Sequence, residues 1–392
     1  MARDVSLDLE ASSSAAGLLR PPPAASPIAE ERVAPGRPTA SFIIATVLLA
    51  LLVTITALVL GQGDPVVPAE QDAASSLVGV AGLGISVARA TSAVAAGFVV
   101  GGIAFAGRRL THSNLAGLLA AALVAADPAF LVQGHLATSG ALTLAFLAWA
   151  LAFVSSPIPL LHWLSGLALA GAAFLDPVAA LWVLPLVAFL LLRGHIYAGP
   201  QHLGLALVQV GFLPALAVGL RWILAGDLSS VPSCFSVMPW ERLALTRLIQ
   251  PGSDLLLLPN PVTWLAGAGA LLFLGLGGVA FTVASFRVAR APGRLQIRVV
   301  SPMPPVLARG VWLLLLALVA PPVAWGFLFA IALAMGIREL GEDAPGFGLA
   351  LALVLLAFAA LVLVRAWGAV AGLDGGVVDA LKLVPWGVAD SC

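Results

Sequence analysis

Charge is what this sequence has least of. Only 10% of its 392 residues are Asp, Glu, Lys or Arg, against about 25% in an ordinary soluble domain. A single lysine, Lys382, stands beside 18 arginines. The two cysteines, Cys234 and Cys392, make no disulfide framework. So little charge excludes a soluble enzyme and the basic surface of a nucleic-acid binder, and so little cysteine excludes a secreted disulfide scaffold. In their place 61% of the residues are hydrophobic and the mean hydropathy is +1.06. The apolar residues come in long blocks, several of them about 18 residues or more without a charge, enough to cross a hydrocarbon layer of about 30 Å. The composition describes a polytopic membrane protein whose first partner is the lipid bilayer.

Residues 1–40 are polar and rich in Pro, Ala and Ser (Pro21, Pro22, Pro23, Pro27, Pro35, Pro38). They bury too little to fold, so they read as a disordered tail, with no cleavable signal peptide. Beyond them the apolar runs predict about ten helical spans, at 41–61, 88–106, 113–127, 136–154, 159–175, 177–193, 203–224, 262–285, 308–335 and 345–366. The fold class expected is all-α, a transmembrane helical bundle. Its parts are a cytoplasmic tail (1–40), a first transmembrane module (41–225), an extracytoplasmic loop (226–261), C-terminal helices (262–366) and a second cytoplasmic tail (367–392).

Arginine placement orients this bundle with both termini in the cytoplasm, and the stretch Arg287–Arg298 is the clearest anchor. The arginine-, alanine- and glycine-rich composition fits a GC-rich bacterial genome, hence a bacterial plasma membrane. Prolines within or beside the runs (Pro128, Pro177, Pro185, Pro214, Pro321, Pro322) predict kinks.

Polar groups near a bilayer are candidates for chemistry. The connection after the first span carries Asp64, Glu70 and Asp72 within nine residues. Such a cluster suits a divalent cation or a general base, and equally a plain solvated loop. The hairpin Asp127-Pro128 to Gly134-His135 places Asp127 about 21 Å along a helix begun at Ser113, below the outer surface. There it serves as a helix cap with proline at the first helical position, or as part of a site. His135 is a candidate proton carrier or phosphate donor, and equally a plain polar residue at the interface. In the long outer loop, Trp240, Arg242 and Arg247 suit a lipid phosphate or an interfacial helix with snorkelling arginines. The histidines His112, His162, His195 and His202 show no metal spacing. Asp176-Pro177 reads as another cap, and the glycines from Gly267 to Gly278 read as close helix packing.

The run Arg89-Ala90-Thr91-Ser92, then Gly107-Arg108-Arg109-Leu110, then Ala126-Asp127-Pro128 and Gly134-His135-Leu136-Ala137-Thr138-Ser139-Gly140, resembles the GT-C membrane glycosyltransferases. The likeness is to protein O-mannosyltransferases and aminoarabinose transferases, over about residues 41–195. In that pattern Arg89 and Asp127 match, whereas His135 stands at an arginine position, Gly140 at an aspartate position and Asp176 at a lysine position. The Asp-Glu pair of the first outer loop falls nearest to Ala69-Glu70. The resemblance implies a GT-C fold in the N-terminal half and a polyprenyl-phosphate sugar as donor. It further implies Glu70 or Asp72, with Asp64 beside them, as base or metal ligand, and Arg89, His135 and Arg242 around the phosphate. The changed positions leave a second reading open, a catalytically silent descendant that serves other membrane subunits.

Overall fold

A computed structural model describes residues 38–60, 85–135, 139–192, 200–225, 260, 262–291, 294–299, 304–320 and 324–371. Thirteen α-helices follow one another among them: α1 (Ala40–Leu60), α2 (Ile85–Thr111), α3 (Asn114–Ala125), α4 (Pro128–His135), α5 (Ser139–Val154), α6 (Pro159–Leu175), α7 (Val183–Leu192), α8 (Pro200–Leu207), α9 (Leu213–Ala225), α10 (Gly267–Ser285), α11 (Pro305–Val319), α12 (Trp325–Asp343) and α13 (Pro345–Ala371). A 3-10 turn, Pro177–Trp182, leads into α7; π-turns at Val208–Phe212 and Val262–Ala266 precede α9 and α10. One antiparallel hairpin, β1 (Phe286–Ala291) with β2 (Arg294–Val299), interrupts the helices.

Backbone in hydrocarbon must satisfy its own hydrogen bonds, which is why the apolar runs become helices. Five stretches are long and apolar enough to cross a membrane: Ala40–Val59, Ser86–Thr111, Gly204–Leu224, Thr263–Ala284 and Gly346–Arg365. They become six if α3 and α4, bent by 68° at their junction, form one broken span. Four shorter apolar helices accompany them. The outer helices carry an apolar coat suited to lipid. Ile44, Leu48, Leu52, Ile55 and Val59 on α1 are exposed, as are Leu349, Leu353, Leu361 and Val364 on α13. Contiguous patches of this kind are rare on soluble monomers.

Small residues build the interior. Helix α2 buries Ala95, Ala96, Val99, Val100, Ile103 and Ala104. Gly102 lies so close to α5 that an added Cβ would stand 2.9 Å from the Ala148 side chain. Without water to drive helices together in lipid, such close approach supplies the packing.

The expectation for 308–335 is overturned. Instead of one span there are two helices, α11 and α12, and Pro321 and Pro322 fall between them. Proline lacks the N–H that continues a helix and clashes with the preceding turn, so the run cannot stay helical through the pair. The two helices also run in opposite directions. On α10, Gly275 faces Leu314 while Gly278 faces Leu307 and Val311, so α11 is antiparallel to α10. Helix α12 instead follows α10, with Phe329 against Gly267 and Gly336 towards Ala270.

Helix α13 then turns back along α12. Gly348 packs on Gly341, and Ala359 O accepts from Asn260 Nδ2 at 3.2 Å. One reversal more than the sequence pattern suggests makes α13 run in the same direction as α1. Helix α1 rises from Thr39, bonded to Asn114 at 3.2 Å, to Ala57, whose carbonyl meets His135. First and last spans pointing opposite ways, as a ten-span count requires, do not occur in this fold. Of the two expected tails, residues 1–37 and 372–392 lie outside the described residues, whereas Ala40 already starts α1 and Trp367 to Ala371 continue α13.

Three arginines tie helices together end to end. Arg309 on α11 donates to Leu110 O at 2.6 Å in the last turn of α2. Arg109 donates to Ala152 O in the last turn of α5. Arg221 on α9 donates to Phe174 O at 2.8 Å and to Leu175 O at the end of α6. Each guanidinium meets the negative end of a helix dipole, where unpaired carbonyls wait for donors.

Candidate functional site

Asp127 is the centre of the best-built polar cluster. Helix α3 ends at Ala125 and α4 starts at Pro128, so Asp127 occupies the N-cap position of α4. Its Oδ1 accepts from the Ala129 backbone N–H at 3.0 Å, the bond a capping aspartate makes, and Pro128 fills the first helical position, where no N–H is required. The capping role expected of Asp127 is therefore present. So is that of Asp176, whose Oδ1 accepts from Val178 N at 3.0 Å.

The carboxyl group of Asp127 does more than cap. It is buried, and Trp264 donates its indole N–H to Oδ2 at 3.0 Å. The Asn260 N–H approaches Oδ1 at 3.5 Å. Asn260 in turn reaches Ala126 O at 2.9 Å and Ala359 O at 3.2 Å with its side-chain nitrogen. Thr263 donates to Leu123 O at 3.3 Å. The chain that enters α10 is thus bonded to the α3–α4 junction and to α13. Trp264 packs edge-on against Phe329 of α12, with ring centroids 5.4 Å apart, which fixes the indole that addresses Asp127.

A small cavity of about 20 Å³ opens beside this knot. Asp127, Gln133, Trp264, Gly326 and Phe327 line it with Val99, Val124, Phe130 and Leu144. Among the described residues no basic side chain lines it.

The other predicted residues do not converge there. His135 is buried at the end of α4 with Nδ1 3.1 Å from Ala57 O, holding α4 to α1. Arg89 is half-buried in the second turn of α2. Ten residues separate it from Val99, about 15 Å along the helix. Asp64, Glu70, Asp72, Arg242 and Arg247 lie outside the described residues. Among the described residues no group of three or more His, Cys, Asp or Glu is placed to hold a metal ion; the acidic cluster for which the sequence suggests a divalent cation, Asp64, Glu70 and Asp72, lies outside them.

Sequence reasoning singled out Asp127 and missed Asn260, Trp264 and Gln133. The available signal was a polar Asn260-Pro261 pair directly before an apolar run with tryptophan inside its first turn. Its partner lies 133 residues earlier, beyond the reach of any local pattern. The connections that follow α1 and α9 both leave from the end of the bundle that holds Asp127, as α1 reaches His135 through Ala57 and the 226–259 segment returns at Asn260. Compared with known protein families, with curated proteins and with solved structures, the chain matches none.

Proposed function

We propose that this chain is a multi-pass glycosyltransferase-like protein of a bacterial plasma membrane, using a polyprenyl-phosphate sugar as donor at its outer face. The observation that carries the reading is that the helices flanking 61–84 and 226–259, the segments bearing the candidate carboxylates and Arg242 and Arg247, meet those segments at one end of the bundle, where Arg89 also stands on α2. Transfer needs a base for the acceptor and positive charge for the departing phosphate. Glu70 or Asp72, with Asp64 beside them, is assigned the first task and Arg89, Arg242 and Arg247 the second. Asp127 is then a structural group beneath the site, and His135 a tie between α4 and α1. With the broken span, the four shorter apolar helices and α12 all taken as crossings, the chain passes the bilayer eleven times, and the two ends of the described chain lie on opposite sides.

A test uses purified protein in detergent with radiolabelled polyprenyl-phosphate mannose and membrane acceptors. Transfer that Glu70→Gln abolishes supports the reading; equal transfer by the variant, or none from either protein, overturns it. A second reading, an accessory subunit descended from the same scaffold, is favoured by the commitment of Asp127 and His135 to backbone and indole partners. It predicts stoichiometric membrane partners after purification in mild detergent, and a lone monomer counts against it.

A further inference from the structure

The hairpin β1–β2 carries a charge pattern that the proposed reaction does not use. From Leu255 to Ile337 the sequence has no acidic residue, and four of its five arginines, Arg287, Arg290, Arg294 and Arg298, fall on the two strands. The register pairs Phe286 with Val299, Arg287 with Arg298, Val288 with Ile297 and Arg290 with Leu295. Successive residues of a strand alternate between its faces. One face therefore holds Phe286, Val288, Leu295, Ile297 and Val299, with Arg290 as its single arginine. The other holds Arg287, Arg294 and Arg298 beside Ala289, Ala291 and Gln296.

Both faces call for a partner. A lone two-stranded hairpin is at best marginally stable in water and needs a surface to pack on. Among the described elements its neighbour is α10, which ends at Ser285, directly before Phe286, and so joins the ribbon at its end. Like charges directly opposite one another destabilise a ladder, and Arg287 with Arg298 is such a pair; an anion shared by the two relieves it. The hairpin leaves a candidate span, Thr263–Ala284, at the end of the bundle where Arg108 and Arg109 close α2 and Arg309 opens α11. Glu339, Glu342 and Asp343 lie at the same end of α12, but Arg338 stands 3.9 Å from Glu339 and is bonded to Glu342. The partner that offers acyl chains to one face and phosphates to the other is the lipid surface. Arginine's planar fork grips a phosphate through two parallel N–H bonds. A zwitterionic headgroup brings its own cation beside the phosphate, so the unbalanced arginines select an anionic one. We propose that the hairpin is an interfacial ribbon selective for anionic phospholipids, with its Val288 and Ile297 face on the acyl chains and Arg287 and Arg298 sharing one lipid phosphate. This inference is independent of the reaction proposed above, and its test reads no sugar transfer.

Native mass spectrometry of the full-length protein, exchanged in mixed micelles of phosphatidylglycerol and phosphatidylcholine, tests the selectivity. Phosphatidylglycerol should be retained over phosphatidylcholine. Arg287→Gln with Arg298→Gln should lower that retention about 25-fold, at about fivefold for each arginine near an anionic surface. Arg32→Gln with Arg37→Gln removes the same charge from the polar N-terminal stretch and should leave retention unchanged. Equal retention of the two lipids by the wild type, no loss in the hairpin variant, or an equal loss in both double variants overturns the proposal. Spin labels at single cysteines, with Cys234 and Cys392 replaced by serine, read the placement in nanodiscs containing phosphatidylglycerol. Labels at Val288→Cys and Ile297→Cys should be reached by oxygen and shielded from a water-soluble nickel chelate, and those at Ala289→Cys and Gln296→Cys the reverse. The same exposure at all four positions overturns it.

Discussion

Trp264 and Asp127, 137 residues apart, share one 3.0 Å hydrogen bond that fastens the entrance of α10 to the broken helix pair α3–α4. Both partners are buried. A bond from a neutral donor to a buried carboxyl is worth about 1.5–3 kcal/mol if the group is ionised. Trp264→Phe keeps the packing against Phe329 and removes only the donor. It is expected to cost about 1–3 kcal/mol, read as a lower midpoint in thermal unfolding in detergent, while the helix content stays unchanged.

Asp127→Ala should be worse than Trp264→Phe. It strips the cap from α4, worth about 1 kcal/mol, and leaves the indole N–H and the Ala129 N–H without an acceptor. Asp127→Asn is expected to fall between the two, as one oxygen can still cap while an amide nitrogen faces the indole. The order of the three midpoints is the measurement; an Asp127→Ala protein as stable as wild type would show that the knot contributes little.

Glycine positions offer a contrast within one protein. A Cβ at Gly267 would stand 2.6 Å from Phe329 O and one at Gly310 2.6 Å from the Leu274 side chain, so alanine there should force α10 away from α12 or α11. Overpacking of this type costs about 1–3 kcal/mol. Gly219, inside α9, has nothing within 4 Å of such a Cβ, and Gly219→Ala should be neutral or stabilise by up to about 1 kcal/mol through helix propensity. Paired melting curves check both directions at once.

Labelling decides the direction of the last helix. In a background with Cys234 and Cys392 replaced by serine, Thr39→Cys and Arg365→Cys mark opposite ends of parallel helices α1 and α13. A membrane-impermeant maleimide added to intact cells should reach one of them and not the other. Equal protection, or equal labelling, would restore the even number of crossings that the apolar runs alone suggest.

How far the sequence was legible depends on the range of the interaction. Local grammar worked: Asp127-Pro128 and Asp176-Pro177 are caps, as adjacent residues supply both the acceptor and the proline. Run length located α1, α2, α10 and α13 closely. It failed at 308–335, because hydropathy records how apolar a segment is and not which way the chain runs; two antiparallel helices joined through a proline pair look like one long run. Pro321-Pro322 was the available warning. The partners of Asp127 were invisible for another reason. Asn260 and Trp264 reach it only because α12 packs against both α3 and α10, and nothing in either segment names the other.

The three arginine ties have a consequence for how charge is read in such chains. Arg109, Arg221 and Arg309 each spend a guanidinium on the terminal carbonyls of a different helix, and the forked head can grip carbonyls that a compact ammonium meets at one point. Their distribution therefore answers to mechanical need as well as to translocation. Moving one across the sequence to invert the protein would first unpin a joint, so misassembly rather than a clean flip is the outcome to expect from rewriting the orientation code here.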